Sequence, residues 1–469
     1  MIWDFERFKD NSAVIYNDTE YSYNDLIKDT DRFYSAINRR CLIAVFCTNS
    51  YESLIGYIGC LNNSIVPLML DANLDPDLKD NLLRIYKPSY CWLPKDIAHD
   101  NSAGKMIFEF GDYILTKSEF DSEYQLNDEL AILLTTSGST GSPKLVRQSY
   151  RNIVSNTESI IEYLGIDSKE RTITTLPMNY VYGLSIINTH LYSGASIVIT
   201  DKSLFQKEFW LLLNDYKVTS FGGVPYTYEM LDKLRMLKRD LPTLKTMTQA
   251  GGRLSKELHG KFAELAASKN IKFCVMYGAS EATARMSYLP SEYNKDKVGS
   301  IGIAIPGGRF ELLDNDGKVI TEAHKSGELV YYGDNVTLGY AKRGEDLILG
   351  DERHGKLLTG DIAERDDDGF YYIVGRKKRF LKMFGKRVNL DEVEQLLKQR
   401  FSSYEIACTG VDDKIFVFLT ENDHDDDIIE FLSDTLRLHS SAFSVNVIES
   451  IPKNPSGKTL YSELLQYCR

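Results

Sequence analysis

Hydroxyl, glycine and lysine side chains crowd into one short stretch of this 469-residue chain, AILLTTSGSTGSPKLVRQ at 131–148. Its apolar lead-in, Ile132, Leu133 and Leu134, reads as a buried strand. The strand gives way to Thr135, Thr136, Ser137, Gly138, Ser139, Thr140, Gly141, Ser142, Pro143 and Lys144. Glycine takes φ > 0 and lets backbone N–H groups converge on an anion. The hydroxyls add donors that can follow moving phosphate oxygens, and Lys144 adds a mobile cation. This composition suits the cradling of a triphosphate. The alternative is a flexible Ser/Gly linker, against which stand the strand that feeds the loop and the Pro-Lys pair that closes it. The loop is not a Walker P-loop, because Pro143 stands where that motif has the Gly before Lys.

A second group of residues lies further on, where three strand-like runs each end in glycine. VTSFGGVP ends at Gly222 and Gly223, LKTMTQAGG at Gly251 and Gly252, and IKFCVMYGASE at Gly278. Helical patterns separate the runs, for example KELHGKFAELAASK at 256–269. In doubly wound sheets ligands bind outside the carboxyl ends of the strands. Three such ends in succession predict one crevice where a flat ligand meets bare backbone, although any single Gly pair reads equally as a turn. Read locally, Ser280 and Glu281 after the third run are a helix-capping hydroxyl with a first-turn acid.

The elements that must position these groups follow from the patterning. Residues 1 to about 130 alternate strand patterns (42–47, 64–70) with a helical one (50–63), which predicts a parallel sheet covered by helices. A helix is expected from Asn152 to Leu164, with its dipole aimed at the phosphates. Residues 300–372 look β-rich with Gly turns. The remainder reads as a small α+β unit, with Asn389 capping a helix, a hairpin about Asp412 and Asp413, and a solvated acidic turn at 423–427. The length predicts two to four domains. A net charge of −12 argues against a general nucleic-acid or membrane-surface binder. No apolar run approaches the 18 residues of a membrane span, and MIWDFERFKD is not expected to act as a secretion signal. The seven cysteines are scattered without a C-x-x-C pair, which points to reduced thiols in a cytoplasmic protein.

The 131–148 stretch closely resembles the phosphate-loop signature of the adenylate-forming superfamily: acyl-CoA synthetases, adenylation domains of peptide synthetases, and luciferases. Three further motifs agree in order. Tyr277, Gly278, Ala279, Ser280 and Glu281 resemble Y-G-x-T-E, with Ser in place of Thr. The stretch 357–394 resembles the segment that carries a ribose-binding carboxylate, here Asp361, and a phosphate- or ribose-contacting arginine, here Arg376. Asn454, Pro455, Ser456, Gly457 and Lys458 resemble N-x-x-G-K. The resemblance implies that Thr136, Ser137, Gly138, Ser139, Thr140, Gly141, Lys144, Gly251, Gly252, Tyr277, Gly278, Ser280 and Asp361 bind ATP. It implies that Glu281 holds Mg²⁺, and that Lys458, Arg376 and Glu281 serve catalysis.

The fold so implied is α/β: a large N-terminal domain of helix-covered sheets with a β-rich subdomain (1–375), a hinge (376–378, with Lys378 at its centre) and a small mobile α+β domain (379–469) carrying the catalytic lysine. The implied activity is that of an AMP-forming acid–thiol ligase that makes an acyl-adenylate. Its acceptor is coenzyme A or phosphopantetheine on an acyl carrier protein, met by the loop at Gly385. The basic run Arg376, Lys377, Lys378, Arg379, Lys382, Lys386 and Arg387 then belongs to a matched motif, where taken alone it would read as a nucleic-acid patch. Two departures stand out. Asn179 and Tyr180 occupy the place where many acyl-CoA synthetases have Phe-His, so Tyr180 or Tyr182 is either the gate of the acyl pocket or plain core. No Asp lies between Thr172 and Ile199, where amino-acid-activating relatives often hold the substrate ammonium. A buried ammonium needs a paired carboxylate, so an α-amino acid is the less favoured substrate. The alternatives are a free-standing amino-acid adenylation enzyme and a non-catalytic ATP-binding regulator.

Overall fold

Strands that are apolar on both faces must be covered on both sides. Leu42–Cys47 and Val66–Asp71 are such strands, and they pair in parallel from Leu42 opposite Val66 to Cys47 opposite Asp71. The computed structural model describes residues 2–98, 104–120, 124–135, 144–235, 239–384, 386–401, 404–421, 425–453 and 459–467. The loop residues Thr136, Ser137, Gly138, Ser139, Thr140 and Gly141, the hairpin residue Gly385 and the predicted catalytic Lys458 lie outside the described residues.

The chain forms two compact units, Met1–Arg309 with Tyr332–Leu357, and Phe310–Tyr331 with Leu358–Arg469. The first contains two large sheets. One orders its eight strands Gly339–Ala341, Leu145–Ser149, Leu130–Thr135, Val66–Asp71, Leu42–Cys47, Tyr90–Pro94, Tyr113–Lys117, Lys105–Phe110. The other has nine strands and carries Lys272–Tyr277, Thr246–Gln249, Ser220–Gly223 and Arg171–Ile173 side by side. The helix Tyr51–Asn62 is capped by Ser50 and buried along almost its whole circumference. A helix that is apolar all round belongs inside a core. Its Leu54 and Ile58 share one apolar cluster with Val45 and Met69 of the first sheet, Ile197 of the second, and Ile153, Ile187 and Leu191 of two further helices. Each such aliphatic side chain stabilises the fold by roughly 1.5–3 kcal/mol.

The helix predicted at 152–164 is Tyr150–Leu164, capped reciprocally by Ser149 and Asn152 and stopped by Gly165 at φ 72°. Its expected service to the phosphates is corrected by what precedes it. Leu145–Ser149 is a strand, antiparallel to Leu130–Thr135, with Thr135 opposite Leu145 and Leu130 opposite Ser149. The helix therefore starts at the far end of the hairpin from the loop, about 17 Å along five extended residues. A helix dipole acts only within the first turn, so this one does not reach Thr135 and Lys144, the described residues on either side of the loop.

The second unit holds a five-stranded sheet that ends on Lys356–Arg365 antiparallel to Tyr371–Arg376. It also holds the hairpin Phe380–Met383 with Lys386–Asn389, and a three-stranded sheet of Ile406–Val411, Lys414–Leu419 and Phe443–Val447. The expected hairpin turns at Asp413, φ 65°. Asn389 caps Leu390–Arg400 by accepting from the Asp391 N–H. The acidic run expected as a turn is instead helical from Asp425: Asp425, Asp426 and Asp427 form the first turn of Asp425–Leu436, where carboxylates offset the positive end of the helix. Lys378 lies in a single 3-10 turn, Lys377–Arg379. Cys41, Cys47, Cys60, Cys91, Cys274 and Cys408 are buried, and none of them is in a disulfide among the described residues. Among the described residues no helix is long and apolar enough to cross a membrane.

Candidate active site

The three glycine-marked strands end together. Ser220–Gly223, Thr246–Gln249 and Lys272–Tyr277 run in parallel, with Gly223 opposite Gln249 and Gln249 opposite Val275. Their glycines are required by what lies on them. A Cβ at Gly222 would stand 2.7 Å from Ile186 Cδ1 and 2.9 Å from Tyr182 Oη, both on the helix Val181–Tyr192. Gly251 turns at φ 86°, and a Cβ there would meet Tyr180 Oη at 2.6 Å. Gly252 is exposed, and its carbonyl accepts from the Gln249 amide at 3.0 Å. Tyr180 is half-buried over Gly251, whereas Tyr182 is fully in the core with its hydroxyl 2.8 Å from Thr248 Oγ1.

After Tyr277 the chain doubles back so tightly that a Cβ on Gly278 would overlap Ala284 O at 1.6 Å. Met286 N–H closes the turn on Tyr277 O at 2.9 Å. Thr283 and Ala284 both take left-handed backbone, φ 51° and 90°, at a cost of roughly 1–2 kcal/mol each. Ser280–Ala282 is one 3-10 turn preceded by Ala279, with no side-chain cap. The local reading of Ser280 as a helix cap is therefore wrong, and this strained turn has another use: it presents Glu281.

Glu281 is half-buried. Its Oε1 accepts from the hydroxyl of Tyr340 at 2.5 Å. Its backbone carbonyl accepts from Arg353 Nη1 and from Thr337 N–H, each at 3.0 Å. Lys144 Nζ stands 3.3 Å from the centroid of the Tyr340 ring, and the Arg353 guanidinium 4.6 Å from it. Burial and the Glu281 carboxylate push the Tyr340 hydroxyl up to about 12, so it stays a donor. Among the described residues Glu281 Oε2 has no hydrogen-bond partner. No group of three or more His, Cys, Asp or Glu residues among them could hold a metal by itself. A single carboxylate with one oxygen unengaged among the described residues nevertheless fits Mg²⁺, which is held by one or two carboxylates together with substrate phosphates.

Tyr340 and Arg353 escape a reading of the sequence, since Tyr340 is one of 29 tyrosines and no pattern marks it. A signal did exist in Arg147, a charge inside an apolar strand. Arg147 is fully buried and donates to the carbonyls of Leu338, Tyr340, Leu349 and Gly350, and to Glu352. It ties the Gly339–Ala341 strand, and so Tyr340, to the strand that leaves the phosphate loop.

In the second unit the structure brings together the predicted pair Asp361 and Arg376. They face each other across antiparallel strands, Arg376 Nε 3.0 Å from Asp361 Oδ1. Asp361 is buried and Arg376 exposed. Gly360 at φ 72°, with Thr359 Oγ1 donating to Leu329 O at 2.7 Å, sets the bend. Among the described side chains of the basic run, Lys377 pairs with Glu328 at 2.7 Å, and Arg379 with Asp391 and Glu394.

A family model described as AMP-binding enzyme matches residues 3–341. The chain is 25% identical to the long-chain-fatty-acid–CoA ligase of Bacillus subtilis (strain 168), over 98% of this chain and 92% of that protein. It is 29% identical to peroxisomal OPC-8:0-CoA ligase 1 of Arabidopsis thaliana, over 72% of this chain, and the match spans 64% of that relative's length. O-succinylbenzoate coenzyme A synthetase from Bacillus subtilis, solved in complex with ATP and magnesium ion, superposes with a TM-score of 0.77 at 20% identity, covering 98% of each chain. At that identity the likeness is one of fold.

Proposed function

From the premise that the chain belongs to the AMP-binding enzyme family, we propose that it activates a small carboxylic acid with ATP and passes the acyl group to a thiol. The observation that carries this reading is Glu281 at the end of its parallel strand. One oxygen is fixed by Tyr340, the other has no partner among the described residues, and Lys144 stands over the same ring. In the first half-reaction a carboxylate oxygen attacks the α-phosphorus of ATP. The bond to pyrophosphate breaks, and acyl-adenylate and pyrophosphate result. Glu281 would hold Mg²⁺, which when bound supplies charge neutralisation at the phosphate oxygens. Lys144 and Arg353 add positive charge around the Tyr340 ring, and Tyr340 keeps the Glu281 carboxylate oriented. Asp361 accepts the ribose hydroxyls, as a carboxylate does for a vicinal diol. Arg376 and Lys458 offset charge at the transferring phosphoryl group. In the second half-reaction a thiolate attacks the acyl carbon, the C–O bond to phosphate breaks, and AMP leaves with that oxygen.

Tyr180, half-buried over Gly251, is the gate of the acyl pocket in this reading; Tyr182 belongs to its wall. The acceptor is coenzyme A, with a carrier-protein phosphopantetheine as the alternative, and Lys378 is the pivot between half-reactions. Buried thiols outside any disulfide among the described residues support a reducing, cytoplasmic setting. The test is acid-dependent exchange of labelled pyrophosphate into ATP, across fatty, aromatic, hydroxy and amino acids. Exchange with one acid class, lost in Lys458→Ala, is the expected result. ATP binding without exchange on any acid overturns it in favour of a non-catalytic regulator.

A further inference from the structure

Arg285 follows the strained turn that presents Glu281, but its side chain goes inward. The residue is 2% exposed. Nη1 donates to Tyr163 Oη at 3.1 Å and to Met276 Sδ at 2.6 Å, Nη2 to Ser185 Oγ at 3.1 Å, and the guanidinium lies 4.7 Å from the Tyr182 ring centroid. Every one of these partners is neutral, and a thioether is a weak acceptor. A guanidinium has five N–H groups. Among the described residues three are used, Nε is buried without a partner, and one Nη2–H is left over. Among the described residues no carboxylate pairs with Arg285. A buried cation with no counter-charge carries a desolvation penalty of several kcal/mol. Such an arrangement persists where something else supplies the charge.

The surroundings say where that charge comes from. Arg285 lines a cavity of about 30 Å³ beneath the helix Val181–Tyr192, together with Thr189, His190, Ser220 and Thr248. This is the helix that bears Tyr182 and packs on Gly222. The cavity therefore lies on the same sheet face as the acyl pocket of the proposed reaction. Its lining is rich in hydroxyls, which a long hydrocarbon tail would leave unsatisfied. Glu170, the acidic side chain on its wall, is already engaged by Lys245 and Thr219. His190 is buried; its Nδ1–H donates to Ile186 O at 2.8 Å, which leaves Nε2 to accept from the Ser220 hydroxyl at 3.3 Å. The cavity thus keeps one uncompensated positive charge with donors to spare.

We propose that Arg285 is the seat for a second anionic group on the substrate, so that the acid activated by this chain is a dicarboxylic acid or a monocarboxylic acid with another anionic substituent remote from the reacting carboxylate. This deepens the adenylation reading and rests on it. An Nε–H and an Nη2–H on one guanidinium suit a carboxylate in two-point contact. With Tyr182 Oη donating to Thr248 Oγ1, the Thr248 hydroxyl supplies a further donor. Arg285 is here a specificity residue that touches substrate away from the chemistry.

The test compares matched pairs of mono- and dicarboxylic acids, aliphatic and aromatic, in pyrophosphate exchange. The wild-type chain is expected to favour the diacid of one pair in kcat/KM by at least about 10²-fold, because the monoacid leaves a buried cation unpaired. Arg285→Met should remove or invert that preference, with the change in KM rather than kcat, since the contact is made equally in ground and transition state. Arg285→Lys keeps the charge without the fork and should recover part of it. Equal use of both members in every pair, or a preference for monoacids, overturns the inference and leaves adenylation standing. Should Arg285→Met fail to fold, the wild-type ratio and Arg285→Lys decide. Should no acid support exchange, the adenylation reading fails, and thermal unfolding of the wild-type chain with each acid pair decides the inference by itself. Selective stabilisation by a diacid, absent in Arg285→Met and weakened in Arg285→Lys, upholds it; no selective stabilisation sinks it.

Discussion

Arg285 in the first unit and Arg379 in the second are both buried arginines stacked on tyrosine, and they are solved in opposite ways. Arg379 lies 3.8 Å from the Tyr461 ring, pairs with Asp391 and Glu394, and donates to Cys408 O at 3.0 Å. Glu394 in turn accepts from Cys408 N–H at 3.0 Å and pairs with Lys398 at 2.6 Å. That network is closed, and it fastens the start of the C-terminal hairpin to Leu390–Arg400. Among the described residues Arg285 has no carboxylate and an idle Nε. The difference teaches how to tell scaffold from site: a buried charge whose partners are complete holds the fold, and one whose partners are incomplete waits for a ligand.

The comparison breaks first at Arg379. Arg379→Met leaves two carboxylates without their cation and should lower the unfolding free energy by about 3–5 kcal/mol, read by urea denaturation. Next comes Glu281, a carboxylate of the site. Glu281→Gln keeps an acceptor for Tyr340, so stability should barely move. Pyrophosphate exchange should fall by roughly 10²–10³-fold, as when one fixed electrostatic contact is removed from a reacting centre. His190 sharpens the picture of the cavity beside Arg285. Burial pulls its imidazole down from 6.5 to about 4, with Arg285 adding to that and Glu170 and the Ile186 carbonyl opposing. The unfolded chain then takes up a proton between pH 6.5 and 4 that the folded chain does not. The stability contribution is complete above about pH 6.5 and is lost as the pH falls toward 4. His190→Asn should flatten that part of the stability–pH curve. The smallest effect is expected at Arg285: Arg285→Met removes a desolvated cation and should leave unfolding free energy within about 1 kcal/mol or raise it. A loss as large as that of Arg379→Met would place Arg285 with the scaffold.

Much of this was legible in the chain because it rests on local pattern. The unbroken apolar run Leu42–Cys47 has one outcome, a strand covered on both faces. The glycines at 222, 223, 251, 252 and 278 mark strand ends that do align. Asp361 and Arg376 meet because two strands joined by a short turn have little choice of register. What was not legible depends on distant segments. Glu281 meets Tyr340 across 59 positions and Arg353 across 72. The helix at Tyr150–Leu164 was found, but its distance from the loop hung on whether Leu145–Ser149 turned helical or extended, and a strand that buries an arginine does not look like one. Arg285, in TARMS, reads as a solvated side chain until Tyr163, Tyr182 and Met276 close over it.

The most direct test of adenylation is to follow one oxygen. Purified chain is given ATP, coenzyme A and a substrate acid labelled with ¹⁸O in its carboxylate, and the products are weighed by mass spectrometry. The account predicts AMP carrying a single ¹⁸O, because the attacking carboxylate oxygen stays on phosphorus when the thiol displaces it. Label in inorganic phosphate with ADP as co-product would mean an acyl-phosphate route and would contradict it.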